Sequence, residues 1–181
     1  VYAYVLGDAL YLNLTSACTL ACVFCPKIRD GSWIVGGWDL RLGRAPTADE
    51  AWAQVEAAGL AGRPEVVFTG LGEPTRSLDV LLEVARRLKH AGVARVRVDT
   101  DGLANLRERR DVTPDLAAAG VDALVVSLNA ADAATYAKLC PSRHGEAAWH
   151  AAREFIRAAL ARVGEVQASF VAVPGLDREA C

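Results

Sequence analysis

A chain of 181 residues, 52% of them apolar, is long enough for one domain that buries about 70% of its unfolded surface. Its formal charge of −2 supplies no general attraction for nucleic acid or an anionic membrane, and no apolar run reaches bilayer-spanning length. Five cysteines, an odd number with three of them clustered, argue against a disulfide scaffold and for a reducing, cytoplasmic setting.

Asp8 interrupts the N-terminal apolar stretch and no basic segment precedes it, so no secretory signal is expected. Tyr2–Leu6 reads as a short leading strand turned by Gly7-Asp8, and Leu10–Leu14 as the first main strand. The cysteine-rich segment follows. Pro26–Pro46, with Gly31, Gly36, Gly37, Trp33 and Trp38, is irregular and reads as a lid or substrate wall, or as a β-hairpin insertion. Thr47-Ala48-Asp49-Glu50 is a capping-box pattern opening a helix that stops near Gly59. Glu65–Thr69 is the second main strand. Ser77 is expected to cap a helix reaching Ala91, with Arg86, Arg87, Lys89 and His90 in its last turns, where cations suit the dipole.

Arg95–Asp99 is the third main strand. Thr113-Pro114 starts a short helix by the cap-then-proline rule, ended by Gly120. Ala123–Leu128 is the fourth strand, Asp132–Leu139 a brief helix, Ala147–Arg162 a longer one and Val166–Val173 the fifth strand. The chain starts at Val1, contains no methionine, and stops at Cys181, where Asp177-Arg178-Glu179-Ala180 resembles a helix start, so a C-terminal part is expected to be missing.

Strand–helix–strand units repeated along the chain require parallel pairing. Apolar strands such as Val66-Val67-Phe68 suit a sheet covered on its faces. The expected fold is α/β, an open, partial TIM-like (β/α) barrel forming one domain over residues 1–181; a doubly wound open sheet is the alternative.

Cys18, Cys22 and Cys25 lie in one short loop after the first main strand. A path from the first to the third spans at most roughly 25 Å, so the loop can wrap an object of cluster size. Thiolates favour zinc or iron–sulfur centres. A closed structural zinc site needs four ligands, and three local ones leave a position open for chemistry. Barrel enzymes carry reactive groups at the carboxyl ends of their strands. Here those ends are the cysteines, Gly70-Leu71-Gly72-Glu73-Pro74, Asp99-Thr100-Asp101-Gly102, Ser127-Leu128-Asn129 and Val173-Pro174-Gly175.

The C-x3-C-x2-C run with Phe24 before its third cysteine, together with Gly-x-Gly-Glu-Pro, resembles the radical SAM superfamily. Tyr11-Leu12-Asn13-Leu14-Thr15, Gly36-Gly37-Trp38-Asp39-Leu40, Gly70–Thr75, Val126–Ala130, Leu139-Cys140-Pro141-Ser142-Arg143 and Val173–Asp177 resemble, more narrowly, the TatD-associated radical SAM proteins. The resemblance implies that Cys18, Cys22 and Cys25 hold a [4Fe–4S] cluster whose fourth iron is chelated by S-adenosyl-L-methionine. A one-electron donor of flavodoxin or ferredoxin type would reduce it. A 5′-deoxyadenosyl radical would then remove hydrogen from an unidentified substrate. Phe24 would pack near the adenine. The segment Gly70, Gly72, Glu73, Pro74 would receive the methionyl ammonium. Thr100, Ser127 and Asn129 would meet ribose hydroxyls or the methionyl carboxylate, which Arg143 would pair. Val173 and Gly175 would border the adenine.

The chain departs from that family at Asp99 and Asp101, where amides are common. Glu73 as a turn former, Ser127 and Asn129 as ordinary turn residues, Arg143 as a solvated cation and Cys140 as a small buried hydrophobe are the structural alternatives. A glycyl-radical activase, a non-catalytic iron–sulfur or zinc protein and an RNA-modifying enzyme are the rival functions, the last disfavoured by the absence of a basic face.

Overall fold

The computed structural model describes residues 1–174, 176, 177, 179 and 180. In chain order the strands are β1 (Ala3–Leu6), β2 (Ala9–Asn13), β3 (Ile34–Val35), β4 (Trp38–Asp39), β5 (Glu65–Thr69), β6 (Arg95–Thr100), β7 (Ala123–Ser127) and β8 (Glu165–Ser169). The α-helices are α1 (Pro26–Arg29), α2 (Ala48–Ala58), α3 (Leu78–His90), α4 (Ala104–Glu108), α5 (Thr113–Ala118), α6 (Ala133–Leu139) and α7 (Ala147–Leu160). β2, β5, β6, β7 and β8 stand side by side in that order and parallel, with β1 antiparallel against β2. A strand order that only rises is that of a partial (β/α) barrel, since a doubly wound sheet reverses order at its switch point. The sheet remains open, with β1 and β8 at its edges.

Side chains alternate across each strand, and the two faces differ. Leu10, Leu12, Val66, Phe68, Val96, Val98, Leu124 and Val126 enter one apolar core with α2, α3, α5 and α7. The other face of β5 and β6 carries Glu65, Arg97 and Asp99, joined by Arg97 Nε to Glu65 at 3.1 Å and Arg97 Nη1 to Asp99 at 2.5 Å. The expectation of a sheet covered on both faces is therefore corrected: the helix side is apolar and the opposite wall is polar and part-exposed.

Local chemistry accounts for most element ends. Thr47 Oγ1 accepts from Glu50 N while the Glu50 carboxylate accepts from Thr47 N, the expected capping box. Pro26–Pro46 is the hairpin alternative: α1 is followed by β3 and β4, joined through Gly36 (φ 56°) and Gly37 (φ 87°). Positive φ at both loop positions makes a type I′ turn, which matches strand twist. Trp38 packs on Tyr4 and its Nε1 donates to Val5 O, while Trp33 lies between Lys27 and Arg41, so both indoles are engaged in packing.

Three features differ from expectation. Ser77 makes no side-chain cap; its Oγ donates to Leu14 O, and Glu73 instead caps a 3₁₀ turn, Pro74–Ser77, ahead of α3. α4 has no strong sequence signal. β8 stops at Ser169 rather than Val173, because its partner β7 ends opposite it at Ser127 and Leu128 N and Asn129 N both close onto Ser169 O. Among the described residues no helix is long and apolar enough to cross a membrane.

Candidate functional site

The carboxyl ends of the parallel strands open onto a cavity of about 360 Å³. Its wall contains Cys18, Cys22, Phe24 and Cys25 from the loop after β2; Thr69, Gly70, Leu71, Gly72 and Glu73 after β5; Asp99, Thr100 and Asp101 from β6; Ser127 and Asn129 after β7; and Val171 after β8. The sequence-derived rim is thus brought together, with Val171 in the place expected of Val173. Val173 does not line the cavity and Gly175 lies outside the described residues. Arg143 is not brought to the cavity either: it is exposed, and its Nε donates to His144 Nε2 at 3.2 Å. Its guanidinium stands in solvent, although Pro141, two residues earlier, is bonded to the cysteine loop through Ala21 N.

The cysteine loop is pinned to the rim by backbone. Glu73 N donates to Ala17 O at 2.9 Å, and a Cβ on Gly72 would stand 1.8 Å from Thr15 O, so only glycine permits this approach. Glu73, 3% exposed, organises the turn. Its Oε1 accepts from Thr75 N (3.0 Å), Thr75 Oγ1 (2.5 Å) and Thr100 Oγ1 (2.8 Å), and its Oε2 from Asp101 N (2.7 Å). Pro74, buried behind it, starts the 3₁₀ turn. The Thr100 hydroxyl is therefore committed to Glu73. Asn129 sits in the left-handed region, which asparagine tolerates (φ 56°). Its Nδ2 donates to Ser127 O and Cys140 Sγ, and its Oδ1 accepts from Val171 N.

Arg107 was not legible in the sequence. It reaches from α4 with its side chain 9% exposed, donating to Thr19 Oγ1 (3.2 Å) in the cysteine loop and Thr75 Oγ1 (2.7 Å) in the turn, with Asp101 Oδ1 at 3.8 Å. One guanidinium therefore ties three rim segments, as its planar fork of donors allows. Asn13 at the end of β2, whose Nδ2 holds Val1 O and Leu40 O, was likewise missed; it anchors the hairpin segment.

Both aspartates face the cavity, but in different states. Asp99 is paired with Arg97, although burial holds its carboxyl above the usual range. Asp101 is 5% exposed; Oδ1 accepts from Leu103 N at 2.8 Å and Oδ2 has no partner among the described residues. Burial, then the neighbouring Glu73 charge, pushes the Asp101 carboxyl up to about 8. The unfolded chain ionises this group near pH 4, whereas the fold holds its proton up to about 8. Its contribution to stability is therefore full below pH 4 and is lost as pH rises across that window. Asp101→Asn keeps an acceptor for Leu103 N and removes the titration. Chemical denaturation should show the variant losing at least ~1 kcal/mol less than the parent between about pH 5 and pH 8; equal losses would refute the assignment.

The three clustered thiols all line this cavity. Among the described residues no three His, Cys, Asp or Glu side chains converge as ligands of one metal ion must. Burial pushes the Cys18 thiol up to about 12, and Cys22 is raised too, by its hydrogen bond with Cys140 and by burial. Ligation must therefore expel their protons, as metal binding to thiols does. Two buried polar atoms near the thiols, Asp101 Oδ2 and Tyr136 OH, lack partners among the described residues. An unpaired hydroxyl and an unpaired carboxyl oxygen beside the thiols fit a polar ligand, one rich in acceptor sulfurs included.

The family described as the Radical SAM superfamily matches residues 12–180. The probable GTP 3′,8-cyclase of Methanopyrus kandleri is 32% identical over 133 residues, 73% of this chain and 38% of its own length. The AdoMet-dependent heme synthase of Methanosarcina barkeri is 34% identical over 124 residues, 68% of this chain and 32% of its own. The GTP 3′,8-cyclase of Lactiplantibacillus plantarum is 32% identical over 136 residues, 74% and 37%. The chain thus spans between 32% and 38% of the length of these curated relatives.

Proposed function

The chain belongs to the radical SAM superfamily, and on that footing we propose that Cys18, Cys22 and Cys25 hold a [4Fe–4S] cluster with S-adenosylmethionine bound beside it. The observation that carries this is the cavity of about 360 Å³ that all three thiols share with the ends of the parallel strands. Bound there, the pair supplies one-electron cleavage of the sulfonium and a carbon radical that takes a hydrogen atom from substrate. The chain's own residues bind and orient. Phe24 gives an apolar wall to the adenine. The carbonyls of the Gly70–Glu73 turn would meet the methionyl ammonium, Gly72 lets that turn close onto the cysteine loop, and Glu73 holds it rigid through its hydrogen bonds. Ser127 offers a hydroxyl to the ribose. Asp101 Oδ2, which holds the carboxyl proton in the unliganded chain below about pH 8, is open to a polar group of the ligand. Arg107 keeps the cysteine loop and the turn in register.

Members of this superfamily take electrons from an external donor; a flavodoxin or ferredoxin in the cytoplasm suits this chain. The narrower kinship with TatD-associated proteins is carried by sequence motifs. The substrates named for the relatives are not transferred. On the polar wall Arg95 and Arg97 are bound to Glu65, Glu165 and Asp99, which leaves a polyphosphate no free arginine among the described residues there.

The test is anaerobic reconstitution, iron analysis, and 5′-deoxyadenosine release on adding dithionite and S-adenosylmethionine. Cys22→Ala should lose both the cluster and at least about 10³-fold of the product, since no remaining thiol on the cavity wall replaces the ligand. Product formation that persists in Cys22→Ala overturns the ligand set. A wild-type protein that binds four irons per chain and never cleaves the sulfonium points to a non-catalytic iron–sulfur protein.

A further inference from the structure

Cys140 is fully buried at the C-terminal end of α6, where its N–H donates to Tyr136 O at 2.7 Å. It is not on the cavity wall, whereas Cys22 is. Two backbone hydrogen bonds fasten the cysteine loop to this segment on either side of the pair: Ala21 N to Pro141 O at 2.8 Å and Val23 N to Leu139 O at 2.9 Å. Cys22 and Cys140 are bracketed between them, and Cys22 packs against the buried cluster that contains Cys140. Asn129 Nδ2 donates to Cys140 Sγ at 3.4 Å. Asn129 is itself held by Val171 N on Oδ1 and by its own N–H on Ser169 O.

We infer that Cys140 is a positioning residue for Cys22, its thiol donating a hydrogen bond to the Cys22 sulfur when that sulfur ligates iron. This rests on the cluster reading proposed above. A ligating Cys22 carries no proton, so the hydrogen in the Cys22–Cys140 contact belongs to Cys140. Asn129 occupies an acceptor site of the Cys140 sulfur, which leaves its S–H to point elsewhere. The result is a relay, Asn129 to Cys140 to Cys22, behind one ligand only. Hydrogen bonds to ligand sulfurs stabilise the added electron and raise a cluster's reduction potential. Cys140 is not a fourth ligand in this account, because it does not line the cavity that Cys18, Cys22 and Cys25 share.

The experiment compares the reconstituted native chain with Cys140→Ala and Cys140→Ser, reading iron content, midpoint potential and proton couplings of the reduced cluster after transfer to D2O. All three proteins should bind iron equally. Cys140→Ala should shift the midpoint to more negative potential and lose one exchangeable-proton coupling; Cys140→Ser, which retains a donor, should recover at least part of both. Equal potentials and couplings in all three overturn the inference. Loss of iron in both variants overturns it as well, since Cys140 would then be a ligand. If Cys140→Ala fails to fold, the native chain against Cys140→Ser decides, because an S–H donor and an O–H donor differ in coupling. Failure of native chain to assemble a cluster or cleave S-adenosylmethionine sinks the function proposed above instead, so the two failures are separable.

Discussion

Gly72→Ala should destabilise the chain by about 3 kcal/mol or more, near the upper end of what overpacking costs. The added methyl would stand 1.8 Å from Thr15 O, 2.7 Å from Thr15 C and 3.0 Å from Ala17 O, all of them backbone atoms with no rotamer to yield. The only relief is to move the Gly-Glu-Pro turn off the cysteine loop, which breaks the Glu73 N to Ala17 O bond. The defect therefore reaches function: iron incorporation should fall along with the denaturation midpoint. Gly43→Ala is the control, since a Cβ there meets nothing within 4 Å and no positive φ is involved; it should change stability by less than about 0.5 kcal/mol. Similar midpoints for the two variants would show that the close approach is absent.

The second large effect is at Glu73. Glu73→Gln is isosteric but has one acceptor oxygen where the carboxylate has two. Three donors meet Oε1, so the glutamine oxygen belongs on that side. Its NH2 then faces Asp101 N, which stands 2.7 Å from Oε2 in the native chain. Donor would oppose donor in a buried place, and the charge-assisted bonds to Thr75 and Thr100 would weaken. The expected loss is about 2–4 kcal/mol, measured by urea denaturation at pH 7. Because the same bonds orient the turn, 5′-deoxyadenosine release should fall further than stability alone explains, even at temperatures where the variant is fully folded. A fully folded variant with undiminished release would leave Glu73 as a structural cap only.

Much of the architecture was legible before any coordinates. Glu65–Thr69 has the same bounds in sequence and structure. The capping box at Thr47 is found where expected; a helix does start at Thr113-Pro114, but Val112 is its N-cap and the Thr113 hydroxyl donates to Asp111 instead of capping. The cysteine loop and the turns after four strands meet at one cavity, as their places at the carboxyl ends of parallel strands require. The misreadings have identifiable causes. Ser77 resembles a cap by composition, but the carboxylate of Glu73 reaches the local donors first. Val171 and Val173 are β-branched and have strand propensity, yet β7 offers no backbone beyond Ser127 for them to pair. Arg143 carries the right charge for a carboxylate, but its guanidinium stands in solvent.

The sequence by itself determined the strand–helix alternation, the parallel sheet and the three-thiol loop, because apolar periodicity and ligand spacing are local properties of a chain. Only the tertiary structure decided which polar atoms the rim uses up and which it leaves open. Arg107 meets Thr19 across 88 residues, and Cys140 meets Cys22 through a bracket of backbone hydrogen bonds. Contacts of that separation leave no periodic trace in the sequence; they exist because the open barrel brings the ends of its strands to one side.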